Sequence, residues 1–131
     1  MIILDTHVLV WFISSPDNLS LKAKNAIEKE IEKNQLLVSS ISVWEIYMLV
    51  KKKRLKFTVP VSKWMEKVES LSFINFIPVD NQIAAKSVIL PKPFPQDPAD
   101  RIIVATAMVE KATLITSDKR ILDYPYVKSL W

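Results

Sequence analysis

Four acidic residues carry most of the chemistry this sequence offers: Asp5, Glu45, Asp100 and Asp118. Asp5 ends the apolar run Ile2-Ile3-Leu4, and Glu45 opens into Ile46-Tyr47-Met48-Leu49-Val50. Asp100 stands at the start of an almost wholly apolar stretch from Ile102 to Val109, and Asp118 follows Thr113-Leu114-Ile115-Thr116. If the fold brings these carboxylates together without matching lysines or arginines, they repel one another, and a divalent cation is the economical relief. Arg101 and Lys119 are adjacent in sequence to two of the acids, but helix geometry points neighbouring side chains in different directions. Oxygen-only ligands favour Mg²⁺, with Mn²⁺ as a substitute, over zinc. Such a site activates a water and neutralises charge on a phosphoryl group, so the chemistry implied is metal-assisted phosphodiester hydrolysis. No histidine base is required; the one histidine, His7, is left out of the catalytic set.

Each acid also has a local explanation. Ser42-Val-Trp-Glu45 has the spacing of a capping box, in which Glu45 would only serve a helix start. Asp97 reads as an N-cap, Pro98 as the first helical residue and Asp100 as the third, a favourable arrangement for any helix N-terminus. Asp118 fits a first-turn acid of the same kind. Asp5 is harder to dismiss, because nothing local explains an acid between Leu4 and Val8-Leu9. Thr6, Thr116 and Ser117 are candidate supporting or phosphate contacts, and ordinary capping explains them equally well.

The elements that must position these residues follow from periodicity. Short β-branched or leucine-rich runs at 2–4, 36–38, 76–79 and 113–116 read as strands, with 127–130 as a final edge strand. Between them lie helical patterns: a short one over 7–13, an amphipathic one capped by Ser20, one from Ser42 through Val50, one near 62–70, one capped by Asp80, and the nearly all-apolar one from Pro98. Pro91-Lys-Pro-Phe-Pro95 reads as a rigid extended connector into Asp97. Strand and helix alternating in this way imply an α/β fold with a mainly parallel sheet of four or five strands and helices on both faces. Ligands of such sheets sit outside the carboxyl ends of the strands, the edge where all four acids are expected.

Composition bounds the class. The 131 residues are most simply one domain, and half of them are hydrophobic, so the chain is globular. Without cysteine there are no disulfides, thiolate metal sites or cysteine nucleophiles. No run is long enough for a membrane span, and Met1–Asp5 lacks the features of a signal peptide, so a cytoplasmic protein with no membrane partner is expected. A net charge of +4 is compatible with a nucleic-acid partner.

Four segments, in order and spacing, resemble the PIN-domain proteins and, more narrowly, the VapC-type ribonuclease toxins of toxin–antitoxin pairs. They are Ile-Leu-Asp5-Thr-His-Val-Leu, Ser-Val-Trp-Glu45-Ile, Asp97-Pro-Ala-Asp100-Arg-Ile-Ile-Val-Ala-Thr-Ala and Leu-Ile-Thr-Ser-Asp118. The resemblance covers residues 1–131. It implies an α/β/α sandwich and a Mg²⁺-dependent endoribonuclease with Asp5, Glu45, Asp100 and Asp118 as catalytic and metal-binding residues. It also implies an RNA substrate, a cognate antitoxin and a homodimer. One departure is the absence of glycine, which many relatives carry in the turns corresponding to 51–55 and 110–113; here those turns must use Lys, Asn or Asp, or another geometry.

The substrate is less legible. Lys51-Lys52-Lys53-Arg54, with Lys56, is the one basic run, and a solvated helix end explains it as well as phosphate attraction does. Trp11, Phe12, Trp44, Tyr47 and Trp64 fall on helical patterns, suited to the core or to a dimer or antitoxin interface. A phosphatase with an aspartyl nucleophile would need a second acid two residues after Asp5, where this chain has His7. The stronger alternative is a catalytically silent PIN module that binds RNA or an antitoxin without cleavage. A DNA nuclease would use the same metal chemistry.

Overall fold

The computed structural model describes residues 1–94 and 96–131. Within these residues five short strands form one sheet: β1 (Ile2–Leu4), β2 (Leu36–Ser39), β3 (Ile74–Ile77), β4 (Thr113–Ile115) and β5 (Ser129–Leu130). They lie in the order β3-β2-β1-β4-β5, and every adjacent pair is parallel. Among the described residues seven α-helices connect or flank them: α1 (Thr6–Ser14), α2 (Leu21–Lys33), α3 (Ser40–Lys51), α4 (Val61–Glu69), α5 (Asn81–Val88), α6 (Pro98–Glu110) and the short α7 (Lys119–Leu122).

Period-two alternation explains why the sheet is covered on both sides. Ile2 and Leu4 of β1, with Leu36 and Val38 of β2, pack into one core with Val8, Leu9, Ile27, Ile46, Trp64, Met65 and Val68. Ile3 and Leu37 face the other way and pack with Ile103, Val104, Ala107, Leu114, Ile121 and Tyr124. A strand buried on both faces reads as a continuous apolar run, which is how β1 and β2 appear in the sequence. The helix opening at Pro98 is the most buried of the seven among the described residues: Ala99 and all five residues from Ile103 to Ala107 are buried. Thr106 tolerates this because its hydroxyl donates to the Ile102 carbonyl at 2.7 Å.

The α/β class and the parallel sheet expected from the alternation are present. Boundaries differ in places. The third strand ends at Ile77, so Pro78 lies beyond the ladder, which Pro could not donate to. Register with β2 extends the strand backwards to Ile74. The final strand is two residues long and pairs with Leu114 and Ile115. In α3 the helix begins at Ser40 with Ser39 as N-cap, the Ser39 hydroxyl accepting from the Ile41 amide at 3.1 Å. The start expected at Ser42 is therefore late by most of a turn. The extended connector expected over 91–95 includes Pro95, which lies outside the described residues; the Lys92–Pro93 peptide is cis.

The glycine-free turns use the substitutes expected. Asn34, Lys53 and Lys111 adopt left-handed backbone, with φ of 54°, 59° and 55°. At the end of α6, Lys111 donates its amide to Met108, and Ala112 donates to Ala107 at 2.9 Å, closing the helix as glycine usually would. Among the described residues no helix is long and apolar enough to cross a membrane.

Candidate active site

Three chain segments leave the carboxyl edge of the sheet beside one another, after β1, β2 and β4, and the N-terminus of α6 is directed to the same edge. Asp5 is the first residue after β1 and the N-cap of α1. Its Oδ1 accepts from the Thr6 amide at 2.8 Å, and its Oδ2 accepts from the Thr116 hydroxyl at 2.7 Å. A local role for Asp5 therefore exists after all, as a cap. It uses only one carboxylate oxygen, and the bond to Thr116 crosses to the segment after the neighbouring strand β4. Burial pushes the Asp5 carboxyl up, while the Thr116 hydroxyl and the Thr6 amide hold it down.

Glu45 lies in the second turn of α3. Because Ser42 is inside the helix and not its cap, the capping-box explanation of Glu45 fails. Ser42 instead ties two helices together. Its hydroxyl and that of Thr6, both fully buried, share a 2.8 Å hydrogen bond that fastens α3 to α1. Partial burial raises the Glu45 carboxyl, with the Thr6 hydroxyl opposing and the charges of Asp5 and Asp97 adding.

Asp97 caps α6 as expected, its Oδ1 accepting from the Asp100 amide at 3.1 Å. Asp100 then stands in the first turn with its side chain only 15% exposed. Its carboxyl is pushed up to about 7, first by burial and then by the charges of Asp5, Asp97, Glu45 and Asp118. Residues far apart in sequence thus bear on one carboxyl. Asp118 caps α7, accepting from the Arg120 amide at 2.9 Å, and its own amide donates to the Thr116 hydroxyl at 3.1 Å. Thr116 thereby links Asp5 and Asp118 through one oxygen.

One charged partner is not anticipated from the sequence. Arg120 Nη2 lies 2.9 Å from Asp118 Oδ2 and 3.7 Å from Asp100 Oδ2, so a guanidinium does reach the acids. Hydrogen bonds from Arg120 hold the Asp118 carboxyl below its ordinary range. The signal available was a cation two residues after a capping acid, a spacing that lets the side chain fold back. The two cations adjacent to acids in sequence are engaged elsewhere. Lys119 pairs with Asp123 at 3.1 Å, and Arg101 donates to the Ser87 and Val88 carbonyls at 2.8 and 3.0 Å, beside the Phe94 ring. Ser117 and His7 are exposed. The His7 ring lies 6.2 Å from that of Trp11, and its charge bears on Asp5 and Glu45.

Among the described residues no three aspartate, glutamate, histidine or cysteine side chains stand close enough together to hold a metal ion between them. The donor set is nonetheless of the type Mg²⁺ takes. That ion keeps several waters and needs only one or two direct carboxylates, the others acting through water. Asp5, held by two donors, and the mutually repelling Asp100 suit direct contact; Glu45 and Asp118 flank them.

The surface beyond the site is mixed. Lys51, Lys52, Lys53, Arg54 and Lys56 are all exposed, and none pairs with an acid among the described residues. Trp64 is a core residue, stacked on Phe57 at 4.4 Å, whereas Trp44 and Tyr47 of α3 are 53% and 42% exposed. Trp11 and Phe12 are partly buried.

The family model for the PIN domain matches residues 2–125. Ribonuclease VapC22 of Mycobacterium tuberculosis is 33% identical over 132 residues, spanning 99% of this chain and 98% of that protein. Among solved structures, FitAcB from Neisseria gonorrhoeae superposes with a TM-score of 0.72 at 21% identity, covering 100% of this chain and 97% of that one. VapBC2 from Rickettsia felis, bound to a DNA fragment from its promoter, superposes at 0.71 and 20% identity, covering 99% and 98%. A toxin–antitoxin complex from Klebsiella pneumoniae gives 0.67 at 24% identity, covering 100% and 97%.

Proposed function

This chain belongs to the PIN-domain family, within its VapC ribonuclease branch, and from that premise we propose that it is a Mg²⁺-dependent endoribonuclease, the toxin of a toxin–antitoxin pair. The carrying observation is the convergence of Asp5, Glu45, Asp100 and Asp118 from four separate elements on the carboxyl edge of a parallel sheet. Asp5 and Asp100 would hold the cation, with Glu45 and Asp118 completing the set. When bound, the cation supplies positive charge to the phosphoryl group and lowers the pKa of the attacking water. Thr116 orients Asp5 by its hydrogen bond, and the Thr6–Ser42 bond fixes the spacing between Asp5 and Glu45. Mn²⁺ is a chemically similar substitute.

We take residues 1–131 as one PIN domain acting in the cytoplasm, with a cognate antitoxin as partner and a second copy of the chain in a homodimer. The complexes of the structural relatives support the antitoxin. The exposed Trp44 and Tyr47 are the kind of surface such partners cover.

The test is cleavage of an RNA panel by the purified protein, with the same sequences as DNA and with EDTA added. Cleavage of RNA alone, abolished by EDTA, is expected. Tight RNA binding with no cleavage on any member of the panel would favour the silent module, and cleavage of DNA at an equal rate would refute RNA selectivity.

A further inference from the structure

Arg120 plays no part in the chemistry above, yet its guanidinium lies between two of the proposed ligands. Its Nη2 is 2.9 Å from Asp118 Oδ2, its Nε is 3.3 Å from Asp118 Oδ1, and Nη2 is 3.7 Å from Asp100 Oδ2. The two-pronged contact with Asp118 matches the planar fork of arginine to a carboxylate. The side chain itself is 63% exposed, so no packing holds it there; the acids do. Arg120 is thus a cation delivered by the chain to carboxylates that carry charge to spare.

On the basis of that metal centre, we propose that Arg120 is a built-in competitor of the divalent cation: it neutralises Asp118 and Asp100 in the metal-free protein and must release them for the cation to bind. Two positive charges cannot share the same pair of carboxylate oxygens without repulsion, so the affinity of the site is the difference between the cation's contacts and those of Arg120. Because Arg120 is on the surface and pairs through solvent-exposed atoms, this competition is modest. It sets the metal concentration at which the site fills and leaves the identity of the ligands unchanged. Lys119, one residue earlier, provides the internal comparison. It carries the same charge on the same short helix but pairs with Asp123, away from Asp100 and Asp118.

The experiment is Mn²⁺ binding to the full chain, by calorimetry and by the loss of the free-ion electron paramagnetic resonance signal, in wild type, Arg120→Gln and Lys119→Gln. Both substitutions are at exposed positions and preserve the helix. Arg120→Gln is expected to bind Mn²⁺ about two- to five-fold more tightly, the range set by an exposed ion pair, while Lys119→Gln stays within error of wild type. Unchanged or weaker binding in Arg120→Gln would overturn the competition while leaving the metal centre standing. An equal gain in both variants would also overturn it, because general surface charge would then be the cause. If no protein bound Mn²⁺ at millimolar concentration, the metal centre itself would fall, and the competition with it.

Discussion

Asp97 and Asp100 sit one turn apart on the same helix, yet the structure gives them different work. Asp97 is exposed and spends an oxygen on the Asp100 amide, a capping role that asparagine performs about as well. Asp97→Asn should therefore keep most of the activity, whereas Asp100→Asn or Asp5→Asn should abolish it with the fold intact, as checked by cleavage rate and circular dichroism. A complete loss in Asp97→Asn would make that residue a ligand as well as a cap. Asp100 also has a pH signature. Its carboxyl is raised to about 7 in the metal-free protein, so the folded state retains a proton that the unfolded chain has lost. Stability in EDTA should accordingly fall as pH rises from the ordinary carboxylate range to about 7, by an upper limit of about 4 kcal/mol. Denaturant titrations across that window should show a steeper slope in wild type than in Asp100→Asn, where the raised carboxyls of Asp5 and Glu45 keep only the remainder. Cation affinity should move the opposite way, weakening as the pH drops below 7, because the ligand must shed its proton to bind.

At the scale of the elements, the site depends on how the segments after the strands are tied together. Thr116 donates to Asp5 and accepts from the Asp118 amide, and it is fully buried. Thr116→Val keeps the shape but strands that amide and frees one Asp5 oxygen, so it should cost about 1–3 kcal/mol in stability and weaken cation binding; thermal melts and metal titration check both. The glycine-free helix ends make a different point. Lysine in the left-handed region costs roughly 1–2 kcal/mol, part of which glycine would give back through its greater unfolded-state freedom. Lys111→Gly should therefore stabilise the chain slightly, by about 0.5–1 kcal/mol, and more than Asn34→Gly, since asparagine tolerates that region better; a destabilised Lys111→Gly would show that the lysine side chain matters at this turn.

How far each feature could be read in advance depends on how local its cause is. The start of α6 is written within four consecutive positions, by Asp97, Pro98 and Asp100, and was legible in full. The start of α3 was not, because Ser39, Ser40 and Ser42 are all competent caps and only packing selects Ser39. That choice decided whether Glu45 was a cap or a site residue. The Thr6–Ser42 bond spans 36 positions and the Asp5–Thr116 bond 111, so neither could be seen in local patterns. Arg120 was missed for the opposite reason: its route to Asp118 is local, but its approach to Asp100 exists only because α6 and α7 begin side by side.

The whole molecule is an arrangement for bringing like charges together. Strands buried on both faces fix five parallel elements in register, and the chain leaves three of them at one edge carrying acids or their supports. The two apolar cores hold that geometry against the repulsion it creates, and the buried α6 carries Asp100 into the cluster instead of out to solvent. A molecule built only to be stable would not raise a carboxyl to about 7 by burying it and then surrounding it with four others. The most direct test of the account is the RNA cleavage rate of the full chain as a function of Mg²⁺ concentration, with Asp100→Asn measured alongside. Cleavage that rises with Mg²⁺, saturates, and is absent in Asp100→Asn at every concentration is the expected result. A rate in wild type that is indifferent to Mg²⁺ and EDTA, or an Asp100→Asn enzyme as fast as wild type, would contradict the assignment of the acidic cluster as the catalytic metal centre.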